Sequence, residues 1–351
     1  MVSCQTVTAE ALEAHFDKNM FQMLDYFGGA GAAVSFVTYK EIYHTSDSIT
    51  CAYEQEQSFP PLRRSGADDP KTTTSENCFF QFSKSFGYSS LDDKEIVDID
   101  KTLFDSGTCA RLLCGLALSQ LEKEGKINMK DRVSDYLGNQ RETSLTLEEV
   151  LLKRSKLLAS GDKENVEDDF PHCDDESSNG DKQAISYAEQ IVEKASGTDF
   201  RTYMEEDLLP KLGLSLPKID EESGKECFTY VKNKNKKMLQ LKTLQSKLTP
   251  DSGLISTTSQ MNQILTAILE HVQANEENIS DSESGYNLLP GFGFGFKSVR
   301  FFPGSLEFFV CVSAMQDNGN AIICVEPKSK WAIWIACNVC CSLSLCFFFL
   351  L

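Results

Sequence analysis

One stretch of the chain joins two kinds of hydrophobic pattern, and any fold of this sequence must accommodate both. Residues 104–126 read FDSGTCARLLCGLALSQLEKEGK, in which a short apolar run leads into an apolar stripe at helical spacing. Gly125 follows the stripe, at the position where helices commonly end in a left-handed residue. We therefore predict a strand end that leads into a helix beginning near Thr108.

The remaining apolar patterns place strands at both ends of the chain and helices between them. Buried strands are predicted at residues 33–39 and 79–88, and strand patterns return after Gly293. Two amphipathic helices, at residues 184–195 and 261–272, lie between these groups. This order favours an α/β (α+β) fold, in which both termini form a central antiparallel sheet with flanking helices and an inserted helical subdomain.

The same order of elements favours one domain. We assign residues 8–340 to it, with a sheet subdomain at 8–103 and 286–340 and a helical subdomain at 104–285. Within the helical part, residues 161–182 are acidic and almost free of apolar side chains. Such a segment cannot bury a hydrophobic face, so we predict a solvated acidic loop.

Composition and charge exclude several classes of function. With 351 residues, 41% of them hydrophobic, the chain can bury a sizeable core. Its formal net charge of -18 argues against a nucleic-acid partner, because phosphate binding needs a basic surface. The thirteen cysteines are scattered, and the one short pair, Cys337 and Cys340, has no second pair or histidine nearby. We therefore predict no metal site.

The two ends of the sequence bear on its location. Residues 1–20 contain no continuous apolar segment, so we predict no signal peptide, and the unpatterned cysteines favour the reducing cytoplasm. Residues 331–351, WAIWIACNVCCSLSLCFFFLL, carry no charge and are about long enough to span a bilayer as a helix. The alternative to this membrane tail anchor is a buried last strand over residues 331–338, followed by an apolar helix packed on the sheet.

The start of the helix near Thr108 supplies the candidate site. A hydroxyl in the first turn of a helix gains from the positive end of the helix dipole and from free backbone N–H groups. A residue three positions later lies on the same face of the helix. Thr108 and Arg111 have this spacing, which is that of the nucleophile and its base in a Ser-x-x-Lys hydrolase.

Four longer segments carry a resemblance to a known family, namely residues 86–107, 116–138, 191–214 and 252–265. In order and spacing they resemble the family of serine β-lactamases, penicillin-binding proteins and esterases, in particular its class C β-lactamase and DD-peptidase branch. The resemblance implies a β-lactamase/transpeptidase-like fold, hydrolase chemistry at a serine, and no cofactor.

The resemblance also implies that the first catalytic element is substituted. The serine nucleophile of the family falls on Thr108, and its lysine falls on Arg111. Threonine keeps a hydroxyl, but a guanidinium stays protonated and offers no acceptor for the proton of Thr108. Ser106 has no base at the usual spacing, and Cys109 is an alternative nucleophile that we expect to be a small packing residue instead.

The other two catalytic elements are substituted as well. The Tyr-x-Asn or Ser-x-Asn element falls on residues 180–182, and Ser177 with Asn179 forms a Ser-x-Asn that is three residues out of register. The Lys-Thr-Gly or His-x-Gly element falls on residues 313–315, which begin with Ser313 and keep neither the cation nor the glycine. Ser313, Ser177 and Asn179 are therefore candidate binding residues.

The substitutions lead to two hypotheses. The first is a pseudoenzyme with a binding or scaffolding role, whose remnant cleft holds a small molecule, a peptide or a protein partner. It predicts that Arg111 pairs with an acid such as Asp105 or blocks the cleft. The alternative is an active esterase or peptidase with Thr108 as the acyl nucleophile and a base from elsewhere, for which Lys156 and Lys182 are the candidates.

Overall fold

The computed structural model describes the chain in segments with gaps between them. They are residues 9–27, 31–39, 71–74, 79–138, 146–147, 179–212, 214, 225–226, 229–232, 238–241, 254–275, 297–299, 308–315, 319–326 and 330–338. The helices in them are α1 (Ala9–Phe27), α2 (Arg111–Lys123), α3 (Val133–Leu137), α4 (Asn179–Ser196), α5 (Phe200–Tyr203), α6 (Leu209–Lys211) and α7 (Thr258–Asn275), with a 3-10 turn at Gly107–Ala110 and a π-helical turn at Met204–Leu208.

The strands in the same segments are β1 (Gly31–Tyr39), β2 (Lys71–Thr74), β3 (Phe79–Ser90), β4 (Glu95–Ile96), β5 (Thr102–Asp105), β6 (Lys225–Glu226), β7 (Thr229–Lys232), β8 (Met238–Leu241), β9 (Ile255–Ser256), β10 (Lys297–Val299), β11 (Phe308–Met315), β12 (Gly319–Glu326) and β13 (Trp331–Cys337). Strand β5 pairs with β6 and β9 in a small second sheet, and β7 pairs with β8. The small sheet places β5, which leads into the helix near Thr108, beside the segment that precedes α7.

The central sheet contains strands from both ends of the chain, as the sequence predicts. Its order is β10-β11-β12-β13-β1-β3-β2, its neighbouring strands are antiparallel, and β4 pairs with β3. Strand β13 lies between β12 and β1, with Val34 opposite Ile335 and Ile322 opposite the same residue from the other side. The predicted mixed α/β fold with a central antiparallel sheet and flanking helices is confirmed.

Strand β13 decides between the two interpretations of the apolar C-terminal segment. Residues 332–337 are all buried, because β12 and β1 flank them and α7 packs against the strand. A continuous apolar run suits a central strand, whose two faces are both covered. A membrane-spanning helix over residues 331–351 is therefore wrong for residues 331–337, whereas residues 339–351 lie outside the described segments. Of the helices that are described, none has the length and apolar character needed to cross a membrane.

Asn338 fastens the end of β13 to the start of β1. Its Oδ1 accepts a hydrogen bond from the Gly31 backbone N–H at 2.7 Å, and its own backbone N–H donates to Gly31 O at 3.1 Å. Its Nδ2 donates to Tyr88 O on β3 at 3.0 Å. A Cβ on Gly31 would lie 2.5 Å from Tyr88 O, so only glycine permits this close approach of the strands.

Helix α2 is enclosed by protein along most of its length. Residues 112–119 are all buried, and the helix packs against α4. The helix ends as the sequence predicts, since Gly125 has a φ of +69° and the Lys126 N–H donates to Leu121 O at 3.0 Å. This burial fixes the direction in which α2 presents its first turn.

Two boundaries differ from the prediction. Helix α4 begins at Asn179, so residues 179–182 of the predicted acidic loop are helical. The range 104–285, predicted as a helical subdomain, also contains the end of β5 and strands β6 to β9, and its last helix, α7, packs on β1, β3 and β13 of the central sheet. Polar side chains hold α7 there, as Ser35 Oγ donates to Thr258 O at 2.9 Å.

Candidate functional site

The strand–turn–helix unit that the sequence predicts is present, and it carries the candidate site. Strand β5 ends at Asp105, the 3-10 turn Gly107–Ala110 contains Thr108, and Arg111 is the first residue of α2. Thr108 and Arg111 are therefore one helical turn apart on the backbone, because residues i and i+3 of such a turn are neighbours. The structure brings the predicted nucleophile and base positions together at the start of a buried helix.

Ser106 is the junction that holds this turn in place. Its backbone N–H donates to Leu254 O at 2.8 Å, and its carbonyl oxygen accepts from the Cys109 N–H at 3.0 Å. Its Oγ accepts a hydrogen bond from the indole Nε1–H of Trp334 at 3.0 Å, and the residue is 0% exposed. A serine enclosed in this way cannot meet a substrate, which excludes Ser106 as a replacement for the family's nucleophile.

Cys109, the other alternative nucleophile, is also enclosed. It is 0% exposed and belongs to the main hydrophobic core, as the prediction of a packing role requires. Cys114 and Cys324 are buried in the same way, and burial raises the pKa of both thiols. Cys109, Cys114 and Cys324 are thus small core residues. The described segments hold no cluster of His, Cys, Asp and Glu that could bind a metal ion.

The turn with Thr108 lies against two strands of the central sheet, one of which carries the residues that the resemblance assigns to the third catalytic element. It contacts β11 and β12, and β11 contains residues 313–315. Ser313 pairs with Ala321 of β12 in the antiparallel register. The strand to which the resemblance assigns the third element thus lies beside the turn with Thr108, and the binding role of Ser313 stays a prediction.

The Ser-x-Asn candidate is only partly described. Ser177 lies outside the described residues, while Asn179 is the first residue of α4, which packs against α2. Of the two candidate bases, Lys182 lies in the first turn of α4 and Lys156 lies outside the described residues. The binding role of Ser177 and Asn179 and the role of Lys182 or Lys156 as a base stay predictions.

Asp105 was predicted to be the acid that pairs with Arg111. It is the last residue of β5, it is 8% exposed, and it lies opposite Ile255 of β9. A buried carboxylate close in sequence to a helix start is well placed for a guanidinium partner. The pairing with Arg111 stays a prediction.

Sequence reasoning missed two buried hydrogen-bond contacts, one at the candidate turn and one along α2. Trp334 is 228 residues from Ser106, and its hydrogen bond follows only from the order of strands in the sheet. The Nδ1 atom of His271 lies 3.0 Å from Ser119 Oγ on α2, and both residues are buried. No pattern in the sequence marks either contact, because each joins elements that are distant along the chain.

The chain is similar in sequence to a known protein family and to a curated protein. The Beta-lactamase family model matches residues 80–339. Teichoic acid D-alanine hydrolase from Staphylococcus aureus is 34% identical over 96 residues, which are 26% of this chain and 24% of that protein. The match therefore spans about a quarter of the length of the curated relative.

Solved structures share the fold at low sequence identity. A class C beta lactamase from Rhodobacter sphaeroides has a TM-score of 0.60 and 12% identity, over 97% of this chain and 98% of that one. A penicillin-binding protein homologue from Pyrococcus abyssi has a TM-score of 0.59 and 14% identity, over 95% and 74%. FmtA from Staphylococcus aureus has a TM-score of 0.58 and 14% identity, over 96% and 88%.

Proposed function

This chain belongs to the beta-lactamase family, and from that premise we propose that it has lost the family's hydrolysis and acts as a binding or scaffolding protein. The observation that carries the proposal is the position of Arg111, the first residue of α2 and one turn beyond Thr108. This is the position from which a lysine would take the proton of the nucleophile in a Ser-x-x-Lys enzyme.

The chemistry of the substituted residues supports the proposal. Arginine is effectively always charged and has no acceptor, so it cannot serve as the base for Thr108. Loss of a general base typically removes about 10²–10⁴-fold of rate. The neighbouring nucleophiles provide no substitute, because Ser106 and Cys109 are both 0% exposed.

The retained architecture supports a binding role. The turn with Thr108 still contacts β11, and buried residues of α2 belong to the main hydrophobic core. In this proposal Arg111 binds a carboxylate or another anion of a small molecule or peptide, since a guanidinium forms paired hydrogen bonds with such groups. A protein partner that presents an acidic side chain would satisfy the same site.

The second candidate function is an active hydrolase with Thr108 as the acyl nucleophile. The match to teichoic acid D-alanine hydrolase favours teichoic acid D-alanine as its substrate class. This candidate requires a base outside the usual motif, such as Lys182 in the first turn of α4. Threonine attacks more slowly than serine because its methyl group crowds the hydroxyl.

Covalent labelling distinguishes the two functions. The purified protein is treated with a fluorophosphonate and with a β-lactam probe, and the adducts are counted by intact mass. The binding proposal expects no adduct on the wild type. Stoichiometric labelling that disappears in Thr108→Ala would overturn it and establish Thr108 as a nucleophile.

A double variant tests whether only the catalytic side chains were lost. Thr108→Ser with Arg111→Lys restores the residue types of a Ser-x-x-Lys site on the same turn. Labelling of this variant, with none on Thr108→Ser alone, would show that the arginine is the cause of inactivity. The single variant is the matched control because it retains Arg111.

A further inference from the structure

The indole of Trp334 lies under the turn that carries Thr108. Trp334 is at the centre of β13, opposite Ser35 of β1 and Ile323 of β12, and it is 0% exposed. Its ring meets the ring of Phe104 edge-on, with the centroids 5.8 Å apart. Because β13 is enclosed by strands on both sides, the indole has a fixed support.

The single polar atom of this indole, Nε1, forms a hydrogen bond with the turn of the candidate site. Trp334 Nε1–H donates to Ser106 Oγ at 3.0 Å, and Ser106 O accepts from the Cys109 N–H inside the turn. Ser106 N–H donates in turn to Leu254 O, beside β9. The turn is therefore tied to the central sheet through a side chain and to the small sheet through its backbone.

We propose that Trp334 is a positioning residue of this site, acting through Ser106 to hold the Gly107–Ala110 turn and the start of α2 against β11. The proposal rests on the proposed function in taking this turn as part of the ligand site. Without the Trp334 donor, the cost of burying the Ser106 hydroxyl is no longer compensated by this hydrogen bond. The turn can then open locally while the helix behind it stays packed. A misplacement of about 1 Å at a site of this kind is enough to impair ligand recognition.

Three variants isolate the hydrogen bond from the packing. Trp334→Phe keeps an aromatic ring near Phe104 and removes the N–H donor, Ser106→Ala removes the acceptor, and the third variant combines both changes. Trp331→Phe is the matched control, because Trp331 begins the same strand and has a partly exposed side chain. All are made in the full chain.

Amide hydrogen exchange, measured by mass spectrometry on peptides covering residues 104–112, reports on the turn. We expect roughly tenfold faster exchange at the amides of positions 106 and 109 in both single variants. The double variant should exchange no faster than Trp334→Phe alone, because the two changes remove one bond. Peptides from α4 and the Trp331→Phe protein should exchange as the wild type does.

Two outcomes would overturn the proposal. One is an unchanged rate of amide hydrogen exchange in the turn of the Ser106→Ala variant. This variant decides the question even if Trp334→Phe does not fold. The other is a rise in Trp334→Phe that is additive with Ser106→Ala, since that identifies a general packing role. Either outcome leaves the proposed function unaffected, because the covalent labelling experiment tests that function separately.

A spectroscopic measurement provides a signature that packing alone would not move. The chain has two tryptophans, so its indole N–H spectrum contains two resonances, which Trp331→Phe assigns. Ser106→Ala should shift the Trp334 resonance upfield, because the indole loses its acceptor. Ser119→Ala, which removes another buried hydroxyl, should leave that resonance in place, and an unshifted Trp334 signal in Ser106→Ala would contradict the proposal.

Discussion

The side chains of Ser119 and His271 meet in the interior of the protein, with Ser119 Oγ 3.0 Å from His271 Nδ1. Ser119 lies in α2 and His271 near the end of α7, and the two are separated by 152 residues. Helix α7 packs on the central sheet, so this contact joins the helix of the candidate site to the element that covers the sheet. Buried polar pairs of this kind fix the relative position of two helices.

Removing the hydroxyl of this pair should destabilise the fold. Ser119→Ala leaves the His271 ring nitrogen buried without its serine partner, which costs about 1–3 kcal/mol of the free energy of unfolding. Urea denaturation followed by circular dichroism measures the loss. Lys123→Ala, at an exposed position of the same helix, is the control and should change the free energy by less than about 0.5 kcal/mol. Equal effects of the two variants would contradict the role of the buried pair.

A buried ion pair should hold α1 on the sheet. Lys84 Nζ lies 2.7 Å from both Glu13 Oε1 and Asp17 Oδ1, and Lys84 is 7% exposed. Lys84→Met removes the cation that faces two carboxylates, one of which is partly hydrated. We therefore expect the free energy of unfolding, measured by urea denaturation, to fall by about 2 kcal/mol. The matched control is Lys101→Met, because the Lys101–Asp98 pair has a lysine side chain that is 72% exposed.

The control should change the free energy of unfolding by less than about 1 kcal/mol, as exposed pairs contribute little. A Lys84→Met protein as stable as Lys101→Met would show that hydration compensates the lost pair. That result would contradict the prediction that α1 depends on this contact.

Glu124 should make stability depend on pH in the acid range. A hydrogen bond from Gln120 and contacts with the ammonium groups of Lys211 and Lys126 lower the pKa of Glu124 from 4.5 to about 2. A depressed pKa means that the stabilisation is complete above pH 4.5 and is lost as the pH falls toward 2. The free energy of unfolding of Glu124→Gln should therefore fall less than that of the wild type between pH 4.5 and pH 3.

The comparison is the free energy of unfolding in urea for wild type and Glu124→Gln at pH 6, 4.5 and 3. We expect the wild type to be the more stable protein at pH 6 and the difference to shrink at pH 3. Parallel curves for the two proteins would contradict the assignment of this pH dependence to Glu124.

The buried cysteines should resist alkylation in the native state. Cys109, Cys114, Cys324 and Cys337 are all buried, and burial raises the pKa of Cys114 and Cys324. Thiol reagents act on accessible thiolates, so iodoacetamide at pH 7.5 should modify these four residues only after denaturation. Peptide mass spectrometry of native and urea-treated samples measures this. Rapid native labelling of Cys109 would contradict its assignment as a core residue.

Local periodicity predicted the elements well. The stripe after Thr108 is α2, with Gly125 at its end, and the apolar runs at 33–39 and 79–88 are β1 and β3. The predicted start of α4, residue 184, lies five residues after the observed start at Asn179, because the acidic composition of residues 161–182 outweighed the helical contribution of its last residues. Element types follow from the spacing of side chains along the chain, whereas the ends depend on individual capping contacts.

The sequence by itself determined that Thr108 and Arg111 stand three residues apart at the start of a helix, and that strands occupy both ends of the chain. These features are local, so side-chain types and their spacing suffice to predict them. Only the tertiary structure decided that β13 is a central strand and that Trp334 lies under Ser106. The reason is physical: strand order and contacts across 228 residues arise from packing the whole apolar surface at once, and no local pattern encodes them.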